Sequence, residues 1–330
     1  VVALLAYHAY CGRLLRDFQA GRKLHGHVWY RYFNELPVLL LLAVIAPGFF
    51  QRQPLLSLLT REAPVLIVAC GMALVIIARQ IDISVGSQFS VCCVCAGLLA
   101  ALRWPMTLVL PTTVAVGALL GACNGALVAG LGLPSIVVTL ATMVAWREGL
   151  QWLREGIWVD LPDGVQWFGL SQAHGQLAII FVALLVFLAL AWTLKHLAVG
   201  RFLYAVGSDA EAARLAGIRP RLGTFLTFVL LGALTGLAAT LNIAQSPQVA
   251  PNSGSGLELR TIAAVVVGGV AISGGRGKLW GVLAGLLLLA CISPALTHLR
   301  VEAYWEKAIQ GAIILLAVVA DGWRNRKQNG

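Results

Sequence analysis

Long apolar runs follow one another along almost the whole of this 330-residue chain. A straight helix needs about 20 apolar residues to cross a bilayer, and several runs are shorter than that. Glycine-rich runs such as 261–273 therefore indicate broken or re-entrant helices buried inside protein. The sequence predicts an all-α polytopic membrane protein with about ten transmembrane or half-spanning helices plus a partial N-terminal helix. The runs lie at 36–50, 64–78, 83–102, 106–131, 134–145, 177–194, 222–244, 261–273, 279–292 and 308–320.

Charged residues are too few for a soluble protein of this length. They make up 12% of the chain, against 59% hydrophobic residues, whereas soluble domains carry about 25% charged residues. The net charge of +10 fits basic cytoplasmic connections better than nucleic-acid binding, which we do not expect. All of the seven cysteines except Cys11 lie in apolar runs, without metal-type spacing to a histidine. We read them as small buried hydrophobes, and we expect no metal, cofactor or catalytic residue.

The basic residues also predict which side of the membrane each connection occupies. The N-terminal segment and the connections after residues 78, 194, 273 and 320 carry most of the 24 Lys and Arg residues. Cytoplasmic connections are enriched in Lys and Arg, so this side and the C-terminus are predicted to face the cytoplasm. The connection 147–174 then faces outward, and its tryptophans fit an interfacial aromatic belt.

The connection 201–221 is predicted to contain a short helix on the cytoplasmic face. Ser208 or Asp209 can cap its start, and the alanines that follow favour helix. Gly217 can adopt the left-handed conformation that ends it, and Pro220 then stops it and returns the chain to the membrane. Such a helix suits a rigid coupling element. The alternative is a solvated connection with a chance run of alanines.

Four motifs carry a resemblance to a known family, over about residues 47–322. The sequence is similar to the inner-membrane permease subunits of bacterial ATP-binding-cassette sugar importers, the ribose, xylose, rhamnose and autoinducer-2 group. Gln80 stands where glycine is commoner in the first motif. The motifs are Q-I-D-I-S-V-G-S at 80–87, N-G at 124–125 with L-P-S-I-V-V-T-L at 133–140, the connection 201–218, and the glycine-rich stretches 254–269 and 274–277.

The resemblance implies a transport subunit and not an enzyme. It implies half of a membrane pathway for a monosaccharide or an autoinducer-2-like small sugar, completed by a second permease subunit, identical or different. A periplasmic sugar-binding protein would deliver the sugar, and a separate cassette ATPase would bind the cytoplasmic helix. The glycine-rich segment 274–278 lacks the spacing of a nucleotide-binding phosphate loop. The residues implied in ATPase coupling are Asp209, Glu211, Ala212, Ala213, Arg214 and Gly217.

Five polar residues are candidates for the translocation pathway: Asp82, Ser84, Asn124, Ser135 and Thr139. Asp82 is either functional or a cap for the helix that starts near Ser84, at the cytoplasmic interface. Asn124 either joins two helices or lines the pathway. Ser135 and Thr139 share a helical face and can offer hydroxyls to a sugar, or can satisfy backbone carbonyls.

Two charged residues are expected near the outer mouth of the pathway. Glu258 and Arg260 stand two positions apart, ahead of the apolar run 261–273. Either they meet the sugar-binding protein, or they form a plain solvated pair.

Residues 1–45 resemble a different family. The stretch from Tyr7 to Arg13 (Y-H-A-Y-C-G-R), followed by F-N-E-L-P at 33–37, is similar to the C-terminal helical hairpin of HemJ-type membrane protoporphyrinogen oxidases. The helices that carry that family's redox-site histidine are absent. The sequence therefore predicts a fused or mis-joined hairpin at 1–45, a permease domain at 46–322 and a basic cytoplasmic tail at 323–330. An oxidase fragment is the alternative function.

Overall fold

The computed structural model describes residues 51–298, with 305, 308–309, 311–312 and 315 beyond them. The predicted hairpin at 1–45, the apolar run 36–50 and the basic tail lie outside the described residues. The helices are α1 Arg52–Ile77, α2 Val85–Ala101, α3 Met106–Gly125, α4 Ser135–Arg154, α5 Gln172–His196, α6 Ala198–Ser208, α7 Ala210–Leu215, α8 Pro220–Ile243, α9 Leu257–Val267, α10 Leu279–Ala290 and α11 Ile292–His298.

Four helices in the described part are long and apolar enough to cross a membrane. They are α1, α5, α8 and α3 together with the π-helical turn Ala126–Gly130 that continues it. The extended structure in the described part is one short ladder, in which β1 (Val159–Asp160) pairs antiparallel with β2 (Gln248–Val249). The predicted all-α polytopic membrane fold is confirmed, and the number of spans stays a prediction.

Helix α1 forms the centre of the fold. Of its most apolar stretch, 94% is buried inside the protein, whereas the matching stretches of α3 and α5 are only 22% buried. A helix that is apolar all round belongs in an interior, and α1 has that composition. The exposed apolar faces of α3 and α5, such as Leu119 at 70% and Phe181 at 66% exposure, suit contact with lipid. Cys123 also lies exposed on α3, so the prediction that it is buried is wrong.

Glycines bring α3 and α8 into direct backbone contact. A Cβ on Gly232 would lie 2.1 Å from the carbonyl oxygen of Gly117, and a Cβ on Gly121 would lie 2.2 Å from that of Phe228. Small residues permit this close approach between membrane helices. The pair α3–α8 is therefore held by van der Waals contact between main chains.

Two short helices interrupt the pattern of full spans. Helix α2 has 17 residues and begins at Val85, after a non-helical segment at 78–84, and α9 has 11 residues. Their N-terminal ends meet, because a Cβ on Gly86 would lie 2.5 Å from the carbonyl oxygen of Gly254. The predicted broken helix in the run 261–273 is confirmed as α9, although it begins four residues earlier than the run.

We predict that Gly232→Ala destabilises the protein. The new methyl group would meet the Gly117 carbonyl oxygen, which cannot move without shifting α3. Overpacking of this kind costs about 1–3 kcal/mol. Thermal unfolding in detergent should show a lower midpoint.

The matched control is Gly149→Ala, on helix α4, where nothing lies within 4 Å of the new Cβ. Alanine is a better helix former than glycine by about 1 kcal/mol, so this variant should be neutral or slightly stabilised. Equal midpoints for the two variants would contradict the close α3–α8 contact.

Candidate functional site

The candidate site is built around a buried carboxylate in the non-helical segment between α1 and α2. Asp82 has no exposed surface. Its Oδ1 accepts hydrogen bonds from the Ser84 backbone N–H at 2.8 Å and from the Ser84 hydroxyl. Its Oδ2 accepts from Gln88 Nε2 at 2.9 Å and from Asn124 Nδ2 at 3.3 Å. Four donors from three parts of the chain therefore converge on one carboxyl group.

Asp82 acts as an acceptor in all of its side-chain hydrogen bonds. Each of the four bonds is donated to the carboxyl group, and the donors are the Ser84 backbone and hydroxyl and the Gln88 and Asn124 amides.

The capping interpretation describes part of this geometry. Ser84 is the residue that precedes α2, and Asp82 accepts its backbone N–H. The remaining bonds join Asp82 to α2 through Gln88 and to the end of α3 through Asn124. Asp82 thus bonds Ser84, the last residue of the non-helical segment, and it also connects α2 with α3.

Hydroxyl groups of α4 cover the same segment. The Ile81 backbone N–H donates to Ser135 Oγ at 3.3 Å, and the Ile83 N–H donates to Thr139 Oγ1 at 3.1 Å. One turn further, Thr142 Oγ1 donates to Asn124 Oδ1 at 2.9 Å. The hydroxyls thereby satisfy backbone donors that have no helical partner, as buried backbone groups require.

The five predicted pathway residues thus form one polar cluster. Ser84, Asn124, Ser135 and Thr139 all bond Asp82 or its neighbours in the segment. The sequence analysis missed Gln88 and Thr142. Helical spacing could have found them, since Gln88 follows Ser84 by four residues and Thr142 follows Thr139 by three.

Glu258 and Arg260 do not form the solvated pair that the sequence left open. Glu258 is 7% exposed and pairs with Arg147 of α4 at 3.1 Å, whereas Arg260 pairs with Glu62 of α1 at 2.6 Å. Residues two apart on a helix do not face each other, and both residues lie in α9. Glu258 Oε2 has no hydrogen-bond partner among the described residues. A Cβ on Gly86, in the first turn of α2, would lie 2.0 Å from that atom.

The connection between α5 and α8 holds two helices, α6 and α7, where one was predicted. They are separated at Asp209, whose backbone is extended. Asp209 Oδ1 accepts from the backbone N–H groups of Glu211 at 2.9 Å and Ala212 at 3.0 Å, which confirms it as the cap. Ser208 instead ends α6. Gly217 has a φ of 83°, so its predicted left-handed conformation is also confirmed.

Helix α7 exposes charged and apolar side chains next to each other. Arg214 Nη2 and Glu211 Oε1 are 2.6 Å apart, and both side chains are exposed. The hydrogen bonds that Arg214 donates to the Glu211 carboxylate raise the pKa of Arg214. Leu215 is 78% exposed beside this pair, whereas Ala213 is buried. Pro220 is the first residue of α8, where its missing N–H costs nothing.

Comparison with known proteins decides the family. Residues 55–318 match the family described as the branched-chain amino acid transport system, permease component. The chain belongs to this permease family. No solved structure matches it significantly.

Curated relatives in this permease group cover most of the chain. It is 32% identical to the ribose import permease protein RbsC of Escherichia coli, across 94% of this chain and 98% of that protein. It is 34% identical to the autoinducer 2 import system permease protein LsrC of Escherichia coli, across 88% and 87% of the two chains. The LsrC protein of Klebsiella pneumoniae gives 34% identity across 88% and 85%. These matches support a sugar-type permease and give no support to the protoporphyrinogen oxidase alternative.

We predict that Asp82→Asn destabilises this permease. The amide that replaces a carboxylate oxygen would face donors from Gln88 or Asn124, so at least one hydrogen bond becomes a donor–donor contact. Leaving a buried donor unsatisfied costs about 1–3 kcal/mol. The unfolding midpoint in detergent should therefore fall.

Asp163→Asn is the matched control, because it makes the same chemical change at an exposed residue of the connection before α5. Its midpoint should stay at the wild-type value. Equal shifts in the two variants would show that the carboxylate at Asp82 does not hold the cluster together.

Proposed function

We propose that this chain is the transmembrane permease subunit of an ATP-binding-cassette importer, and that it moves a monosaccharide or an autoinducer-2-like small sugar across the inner membrane. The observation that carries this proposal is its similarity, over most of its length, to permeases named for ribose import and for autoinducer 2 import. Both substrates named there are small and hydrophilic. A buried cluster of hydroxyl, amide and carboxylate groups is the chemistry that suits such a solute.

The pathway is proposed to pass the polar cluster of Asp82, Ser84, Asn124, Ser135 and Thr139. In the present arrangement the hydroxyl oxygens of α4 accept hydrogen bonds from the Ile81 and Ile83 N–H groups. A sugar hydroxyl offers the same acceptor, so it can take these positions when α4 moves away. Much of α4 is exposed, including Val137 at 63%, so it is bound to the rest of the protein on one side only. The cluster is therefore a site that α4 closes.

A separate cassette ATPase is proposed to drive this movement by binding α7. The residues proposed for this coupling are Asp209, Glu211, Ala212, Ala213, Arg214 and Gly217, of which Ala213 packs inward and the others are open to a partner. Supporting this, Glu211, Arg214 and Leu215 are exposed together, which offers a partner two opposite charges and an apolar contact. The sequence holds no phosphate loop of its own, so ATP hydrolysis is assigned to the partner.

The remaining partners follow from the importer assignment. A second permease subunit, identical or different, would complete the pathway, and a periplasmic binding protein would deliver the sugar. The basic residues of the α5–α8 connection and of the tail support a cytoplasmic position for that connection and for the C-terminus. Glu258 and Arg260 would then lie on the outer side of the polar cluster, within the helix packing. ATP-driven movement of the two α7 helices would rock the membrane halves between outward-open and inward-open states.

The test is uptake of radiolabelled ribose into proteoliposomes that hold the permease with its ATPase and binding protein. We expect Glu211→Lys to lower ATP-dependent uptake at least about tenfold. The substitution replaces the ion pair with Arg214 by two like charges on the surface that meets the ATPase. The amount of permease inserted into the membrane should not change, because both side chains are exposed. A parallel assay with autoinducer 2 distinguishes the two substrate classes.

Glu155→Lys is the control, since it reverses an exposed acidic residue at the end of α4, in the connection predicted to face outward. It should keep ATPase binding and transport coupling. Wild-type uptake in Glu211→Lys would contradict the coupling role of α7. Absence of ATP-driven uptake of either sugar by the wild-type assembly would contradict the proposed function itself.

A further inference from the structure

The end of α6 contacts the end of α1 and a glycine-rich turn between α9 and α10. Gly207 lies so close to the end of α1 that a Cβ on it would be 1.7 Å from the Ile77 carbonyl oxygen. That same oxygen accepts the Gly275 N–H at 2.9 Å, from the glycine-rich turn between α9 and α10. Tyr204 Oη donates to the Gly277 carbonyl oxygen at 2.7 Å, in the same turn. A movement of α6 is therefore passed directly to this turn.

Helix α9 runs from this turn to the polar cluster. Its 11 residues span about 16 Å at 1.5 Å per residue. At its far end, Glu258 pairs with Arg147 of α4, and Arg260 pairs with Glu62 of α1. The far end also packs against the first turn of α2, through the close approach of Gly254 to Gly86. The turn that follows α9 thus contacts α6, and the other end of α9 contacts the helix that covers the cluster.

The ion pair at the far end acts on the helix that covers the cluster. Arg147 lies eight residues after Thr139, which places the pair about 12 Å along α4 from the hydroxyl that holds the Ile83 N–H. A helix of this length moves as a rigid body. A pull on Arg147 therefore shifts Ser135 and Thr139 relative to the segment they cover.

We propose that α9 is the element that transmits movement from the cytoplasmic connection to α4. Tyr204 is the positioning residue, because it bonds the turn that follows the cytoplasmic end of α9. The Arg147–Glu258 pair is the contact through which α9 acts on α4. This inference rests on the proposed function, because it assumes that an ATPase moves α6 and α7. Helix α10 moves with α9, since a Cβ on Gly285 would lie 2.4 Å from the Ala264 carbonyl oxygen.

The first variant to test is Tyr204→Phe, which removes only the hydroxyl that bonds the turn. The measurement is the amount of ribose transported per ATP hydrolysed by the complete importer in proteoliposomes. We expect this ratio to fall about fivefold, the factor that corresponds to one net hydrogen bond. The ATPase should still copurify, because the α7 surface is unchanged. Thr227→Val is the control, since its hydroxyl bonds Thr224 within α8 alone.

The second variant, Arg147→Gln, breaks the contact at the other end of α9. If two substitutions interrupt the same route of transmission, the second should not lower the transport ratio further. If they interrupt independent routes, the factors by which they lower the ratio should multiply. We therefore expect Tyr204→Phe combined with Arg147→Gln to lower the transport ratio no further than Arg147→Gln alone. If Arg147→Gln fails to fold, Glu258→Gln supplies the same comparison by removing the charge on the other side of the pair.

The outcomes separate the inference from the function it rests on. Wild-type transport per ATP in Tyr204→Phe would overturn the transmission through α9, and so would multiplied effects in the double variant, which would favour a direct route through α1. Either result would leave the importer assignment intact. Only a wild-type assembly without ATP-driven sugar uptake would overturn both.

Discussion

The structure depends on one buried carboxyl group where the chain leaves helical geometry. Asp82 lies in the segment 78–84, with no exposed surface, and a carboxyl group in that position is stable only when donors surround it. The donors come from α2, from the end of α3 and from the segment itself. Satisfying this one carboxylate therefore fixes the start of α2 and its position against α3.

The same requirement explains why α4 lies where it does. A non-helical segment inside a membrane protein leaves backbone N–H groups without partners, and lipid cannot supply them. Ser135 and Thr139 supply acceptors for two of these groups. Those contacts are single hydrogen bonds at 3.1–3.3 Å, and a hydroxylated solute can replace each of them. Under the proposed function, this arrangement combines a stable buried segment with a cover that can be removed.

The sequence predicted those features that depend on contacts between residues close together in the chain. The cap at Asp209 and the left-handed Gly217 depend on residues within a few positions, so the sequence alone indicated them. The short helix α9 followed from a run too short to span a membrane. Asp82, Asn124 and Thr139 were each proposed from their own chemistry, and no periodicity in the sequence could show that they lie in one cluster.

The sequence did not predict ion pairs between residues that only tertiary packing brings together. Glu258 and Arg260 are close in sequence, but the helix turns them toward different neighbours, Arg147 and Glu62. Nothing near either residue in the sequence indicates those partners, which are contributed by α4 and α1. The sequence also predicted one helix in the connection between α5 and α8, whereas Asp209 divides this connection into α6 and α7.

Hydrogen–deuterium exchange of the segment 79–85 tests the central claim most directly. The backbone N–H groups of Ile81 and Ile83 are bonded to α4 hydroxyls and should exchange slowly in the resting importer. If α4 is a cover that opens during transport, their exchange should become faster when ATP and sugar are both present, with α1 unchanged as the internal reference. Equally slow exchange in the resting and the transporting assembly would show that α4 does not leave the segment, and that the sugar takes another route.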